Sequence, residues 1–254
     1  MAMRRRPAFV LGELRVPAEL GVFRVAEPLF DSLATGPSRH VLVIPGFCAD
    51  DSSTRHLRRL LNRVGHQAHG WNLGRNFGPT AERIELLQSR LRTLSEEAGE
   101  PVTVVGWSLG GIYARVLGLW EREYVDQVIT LGSPFNIEQG ERTTVSPLYD
   151  LLERRNGFIK RAGEISLDSL ECPSTSIYSR SDGVVSWATC LQTPGPMAEN
   201  IEVRGSHSGL GVNVAVAYVI LNRLRHQADT WMPFEAPCSL RTLFPQRLAE
   251  PSIN

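Results

Sequence analysis

Val102-Thr103-Val104-Val105-Gly106-Trp107-Ser108-Leu109-Gly110-Gly111 is the stretch that decides how the chain folds. Four β-forming residues run without a break into Gly106. A helical pattern, with Ile112, Val116 and Leu119 on one face, runs out of Gly111. A short apolar run of this kind is a strand buried on both faces, as a parallel sheet requires. Ser108 then stands at a strand-to-helix turn. Its flanking glycines leave room for neighbouring backbone, and the following helix aims the positive end of its dipole at the hydroxyl. Gly-x-Ser-x-Gly alone is a weak pattern in a chain with 22 glycines, and a plain glycine-rich loop is the bland alternative. The strand before it and the helix after it give the motif its weight.

The same rhythm extends on both sides. Val41-Leu42-Val43-Ile44 reads as a buried strand stopped by Pro45-Gly46, and Leu57, Leu60, Leu61 and Val64 follow at helical spacing. A short strand falls near Gln67 to Trp71. Gly78-Pro79-Thr80 opens a helix with Ile84, Leu87, Leu91 and Leu94 on one face, ending near Gly99. Val125 to Leu131 is a strand ended by Gly132-Ser133-Pro134. Thr175 to Tyr178 and Ile201 to Val203 are two more, and a helix runs from Leu210 to about Arg225. Alternating strands and helices imply right-handed crossovers and a mostly parallel central sheet with helices on both faces.

The rhythm breaks at 135–172, a polar stretch with one helix pattern near Pro147 to Arg155, read as a small cap or lid insertion. Residues 1–38 hold Pro7, Pro17, Pro28 and Pro37 and read as a segment wrapped on the domain, with a short helix near Glu27 to Ala34. Residues 228–254 hold Pro233, Pro237, Pro245 and Pro251 and read as a loosely packed tail. The expectation is a single α/β domain over 1–254.

Composition narrows the function. Lys plus Arg and Asp plus Glu are 27 each, so no global field favours nucleic acid or an anionic membrane. Arg4, Arg5 and Arg6 form a local basic cluster that reads as a solvated end. Glu13 and Arg15 interrupt the first apolar residues too early for a secretory signal. The run Gly209 to Leu221 falls short of the ~20 residues that span a bilayer. A cytoplasmic protein without a transmembrane segment is expected. Cys48, Cys172, Cys190 and Cys238 make no Cys-x-x-Cys pair, so no metal site is expected and buried free thiols are the reading.

A serine hydroxyl near neutral pH needs a base within reach, and the base needs an orienting acid. Both should follow later strands. Asp182 lies after the strand ending at Tyr178, and His207 lies in Gly205-Ser206-His207-Ser208-Gly209, before the last helix. His40, His56, His66 and His69 all precede the serine, and His226 ends the final helix. Asp168 is the rival acid, and Asp126 reads as a surface charge at a strand entry. An oxyanion needs two backbone N–H donors. Leu109 supplies one, and Phe47, with Cys48 as the fallback, supplies the other.

Val41 to Phe47, Val102 to Gly111, Leu131-Gly132-Ser133-Pro134, Asp182-Gly183-Val184-Val185 and Gly205 to Gly209 together resemble the lipase and esterase branch of the α/β-hydrolase superfamily, over roughly residues 40 to 225. Bacterial triacylglycerol lipases usually read His-Gly-Phe where this chain has Pro45-Gly46-Phe47. The resemblance implies cleavage of carboxylic esters, of small-molecule or lipid type, through an acyl-enzyme and with no cofactor. It implies Ser108 as nucleophile, His207 as base and then acid, and Asp182 as orienting acid, in agreement with the residue-level reading. Acyl transfer to an alcohol and thioester cleavage use the same three residues. A non-catalytic module on this fold is the rival from another class, and haloalkane dehalogenation would need a carboxylate at 108.

Overall fold

Val41 and Val43 point to one side of a strand and Leu42 and Ile44 to the other, and all four are buried. A strand covered on both sides has to sit inside a layered structure, and it does. The computed structural model of the chain describes residues 12–33, 36–136, 167–226 and 230–245. Strand β1 (His40–Ile44) is followed by α2 (Arg55–Arg63), β2 (Gln67–Gly70), α3 (Ala81–Ala98), β3 (Val102–Trp107), α4 (Leu109–Trp120), β4 (Val125–Leu131), β5 (Ser174–Tyr178), β6 (Ala198–Glu202) and α5 (Val214–Arg223), and α1 (Val16–Phe30) precedes it. The six strands lie in the order β2-β1-β3-β4-β5-β6, and every pairing is parallel.

Helices α1, α2 and α5 cover one face, where Phe23, Leu57, Leu60 and Val216 pack with Val41, Val43, Val105 and Ile129. Helices α3 and α4 cover the other, where Leu87, Leu91, Ile112 and Leu117 pack with Leu42, Ile44, Val104 and Val128. Fully burying one such side chain is worth about 2 kcal/mol, so these two clusters hold the sheet between its helices. Helix α4 is buried on nearly every side rather than along one stripe. Thr80 caps α3 by accepting from Arg83 N at 3.1 Å.

The chain steps from β1 outward to β2 and then returns to β1's other side for β3. In such sheets the crevice outside the strand ends at this reversal is where ligands sit. Ser108 lies there, directly after β3.

Three expectations are corrected. The N-terminal helix runs Val16–Phe30 rather than near Glu27 to Ala34, because Pro17 falls in the first turn, where its missing N–H costs nothing, and Pro28 falls in the last. The last helix begins at Val214. A separate 3-10 turn occupies Leu210–Val212, and Asn213 starts a new helix by accepting from Ala215 N and Val216 N. The described part of the tail is not loose: Phe234 and Phe244 pack on Tyr218, and Phe244 is buried. Of the 135–172 stretch, 137–166 lies outside the described residues, and so does the helix pattern near Pro147 to Arg155. The Arg4–Arg6 cluster lies outside them as well. No helix of the described residues is long and apolar enough to cross a membrane.

Candidate active site

The turn that carries Ser108 is strained. The serine has φ 53° and ψ −121°, a conformation that L-residues avoid and that persists only where the surroundings dictate it. The surroundings here are backbone. A methyl group at Gly106 would collide with the Gly110 carbonyl, and one at Gly110 with the Ile44 carbonyl. Ser108 N donates to Leu131 O at 2.8 Å, which fastens the turn to the end of β4. The hydroxyl has no hydrogen-bond partner among the described residues, although the residue as a whole is buried.

Asp182 and His207 meet each other, from the loops after β5 and β6. His207 Nδ1–H donates to Asp182 Oδ2 at 2.6 Å, and both side chains are buried, 8% and 2% exposed. A carboxylate can only accept, so this bond fixes the proton on Nδ1 and leaves the Nε2 lone pair as the basic site. The other carboxylate oxygen accepts from Val184 N at 2.8 Å and Val185 N at 2.7 Å. Asp182 is thereby held in place by three donors, two of them the Val184 and Val185 amides of the local Asp-Gly-Val-Val. A side-chain carbon on Gly132, the residue after β4, would lie 3.2 Å from both Asp182 Oδ2 and His207 Nδ1. Leu131 O accepts from Ser108 N, and the next residue, Gly132, leaves no room for a side chain beside Asp182 and His207, so the end of β4 adjoins both features. Trp107 Nε1–H donates to the His207 carbonyl at 3.1 Å, so the residue before the serine also holds the His207 loop.

The first oxyanion candidate, the Leu109 N–H, opens α4. Gly46 packs against the serine, its added carbon falling 3.2 Å from Ser108 Cβ. Phe47 follows it, half-buried, with its ring on the core face that α3 and α4 cover. The Cys48 fallback is removed: Cys48 N donates to Asn76 O at 2.7 Å. Fully buried Asn76 also donates from Nδ2 to Pro45 O at 2.8 Å and accepts from Gly78 N at 3.1 Å. It holds the loop after β1 by both ends. Sequence reading missed Asn76, whose signal was only a polar residue inside a glycine-rich loop.

The competitors are placed elsewhere. The Asp168 carboxylate accepts from Thr193 N at 2.8 Å and Thr193 Oγ1 at 2.6 Å. Asp126 is not a surface charge: it is half-buried, and burial pushes its carboxyl up against the pull of Arg39 and the Thr103 and Gln127 contacts. Two of the four thiols, Cys172 and Cys190, are buried, but Cys48 and Cys238 are exposed. Among the described residues no cluster of His, Cys, Asp or Glu could hold a metal ion.

No protein-family model matches the sequence, and no curated protein matches it at a significant level. Solved structures do match in shape. Lipase B of Aspergillus fumigatus superposes with a TM-score of 0.61 at 19% identity, covering 75% of this chain and 53% of that one. A metagenome-derived lipolytic enzyme gives 0.54 at 19% identity, covering 75% and 93%. A Bacillus licheniformis lipase in its mature form gives 0.53 at 16% identity, covering 74% and 92%. The chain has the α/β-hydrolase fold. It spans about half the length of the Aspergillus structure.

The stretch between β4 and β5 is tied down at both described ends by one side chain. Arg115, on α4 two turns past Ser108, is fully buried and stacks 4.0 Å over the Phe135 ring. It donates to the Leu167 carbonyl, to Asp168 O at 2.9 Å and to Gln192 Oε1 at 2.8 Å. Burial pushes its guanidinium down to about 10, which still leaves it charged at neutral pH.

Proposed function

We propose that this chain is a serine hydrolase that cleaves carboxylic esters through an acyl-enzyme on Ser108. The observation that carries the proposal is the buried 2.6 Å bond between His207 Nδ1 and Asp182, taken with a serine held in a strained turn at the carboxyl end of β3. The lipases and lipolytic enzymes of the same fold support it.

The chemistry follows from the parts. His207 Nε2 takes the Ser108 proton as Oγ attacks the ester carbonyl, and Asp182 steadies the imidazolium that forms. The carbonyl oxygen gains negative charge, which the Leu109 and Phe47 N–H groups and the N-terminus of α4 stabilise; one such donor is worth about 3 kcal/mol of barrier. The imidazolium returns its proton to the leaving alkoxide, the alcohol departs, and the acyl group stays on Oγ. Water then attacks with His207 again as base and releases the acid. No step calls for a cofactor. Substrates are small-molecule or lipid esters.

Turnover of p-nitrophenyl butyrate by the wild type and by Ser108→Ala tests the proposal. The variant should keep its fold and lose about four to six orders of magnitude in kcat. Equal turnover by the two would remove the serine from the mechanism.

A further inference from the structure

Asp182 and His207 sit on loops, not on helices or strands, and loops on a surface move unless something holds them. Part of the restraint is internal: Ser179 Oγ donates to Gly205 O at 2.7 Å and Ser181 Oγ to the same carbonyl at 3.1 Å. The larger part comes from far away in sequence. The Glu13 carboxylate accepts from Gly183 N at 3.0 Å and His207 N at 2.8 Å on one oxygen, and from Ser208 N at 2.9 Å on the other. Glu19, two turns on, accepts from Ser206 N at 2.9 Å and from the Ser206 hydroxyl. Arg15 lies between them. Its Nε stands 3.0 Å from Glu19 Oε1, and its Nη2 donates to Ser181 Oγ at 2.9 Å.

Four backbone N–H groups, at 183, 206, 207 and 208, thus end on two carboxylates from one short segment. They belong to the base itself, both its neighbours, and the residue after the acid. Charge-assisted bonds of this kind are the strong class, and a carboxylate in a nest of amides holds its geometry closely. The segment is anchored in turn: Glu19 is on α1, whose Phe23 and Phe30 are buried in the core. Burial pushes the Glu13 carboxyl up, but the bonds from Ser208, His207 and Gly183 more than offset it, so it stays ionised at lower pH than usual.

We propose that Glu13, assisted by Glu19, is a positioning residue that cross-links the loops carrying Asp182 and His207 and fixes the imidazole relative to Ser108. Glu13 bonds main chain on both loops and makes no contact with the Ser108 hydroxyl. With an NH2 group in place of one oxygen, a donor faces either the Ser208 N–H or the Gly183 and His207 N–H pair, so at least one of the three bonds is lost and the strap is loosened, while the elbow and the oxyanion donors stay as they are. This inference rests on the serine-hydrolase proposal above.

The test is Glu13→Gln, measured beside wild type and Ser108→Ala. Three readouts are taken: kcat and KM on p-nitrophenyl butyrate, the rate of fluorophosphonate labelling, and the low-field proton NMR signal of the His207 Nδ1–H. The proposal expects kcat and the labelling rate to fall about ten- to a hundredfold, KM to change by no more than about twofold, and the low-field signal to shift or broaden. A purely structural role would lower the melting temperature and leave all three unmoved in the folded protein, and that result overturns the proposal. If Glu13→Gln does not fold, Glu13→Asp serves: it keeps the charge but is too short to reach both loops, and an unchanged kcat in it overturns the proposal too. If wild type neither turns over esters nor labels, the hydrolase reading has failed. The low-field signal then decides the strap alone, an unaltered resonance in Glu13→Gln ruling it out.

Discussion

Gly132→Ala should damage catalysis far more than folding. Gly132 has φ 54°, so an alanine there enters the left-handed region at a cost of about 1 kcal/mol. Its new carbon would stand 2.7 Å from Leu210 Cδ1, which has to leave its rotamer well at a cost of about another 1 kcal/mol. A loss of roughly 2 kcal/mol leaves an ordinary domain folded. The same carbon would press on Asp182 Oδ2 and His207 Nδ1, each 3.2 Å away. Asp182 cannot step aside freely, since its other oxygen holds the Val184 and Val185 amides. The displacement therefore falls on the Asp182–His207 bond and on the aim of the imidazole, and kcat should drop about tenfold or more. Urea denaturation gives the stability and steady-state turnover of p-nitrophenyl butyrate gives kcat. A variant that loses its 2 kcal/mol yet turns over like wild type would refute the reasoning, because the pair pressed by residue 132 would then not be the pair that does the chemistry.

Other outcomes follow from the same coordinates. The Glu13 carboxyl is held below its ordinary value of 4.5, so its contribution to stability is present above that value and lost as the pH falls through the lower, folded one. The stability gap between wild type and Glu13→Gln should be full at neutral pH and close in acid; a gap that widens there would contradict the assignment. Thr80→Ala removes the cap of α3 and should cost about 1 kcal/mol in urea denaturation with kcat unchanged. Two thiols, Cys48 and Cys238, should react with a disulfide reagent in the native protein, and all four after unfolding. Cys172, which burial pushes up to about 11, and Cys190, which burial also raises, should stay silent until then.

What could be read in the sequence was whatever depends on local pattern. Val41 to Ile44, Val102 to Val105 and Val125 to Leu131 announce buried parallel strands because both faces of each are apolar. Those strands in turn make Gly106 to Gly110 an elbow rather than a loop. Asp182 and His207 followed from the order of the strands. What escaped depends on partners distant along the chain. Glu13 looked like an interruption of an apolar stretch, and nothing near it in sequence shows that its oxygens meet residues 183, 207 and 208. Pro17 and Pro28 looked like breaks in a helix whose ends tolerate them. Asn76 and the spent Cys48 N–H were invisible for the same reason, since only the folded loop puts them together.

The most direct measurement is the site of covalent labelling by a fluorophosphonate, read by mass spectrometry of the digested protein. A single adduct on Ser108, abolished in His207→Ala while that variant remains folded, is the expected result. An adduct on another serine, or labelling of Ser108 at an undiminished rate without the imidazole, would contradict the account.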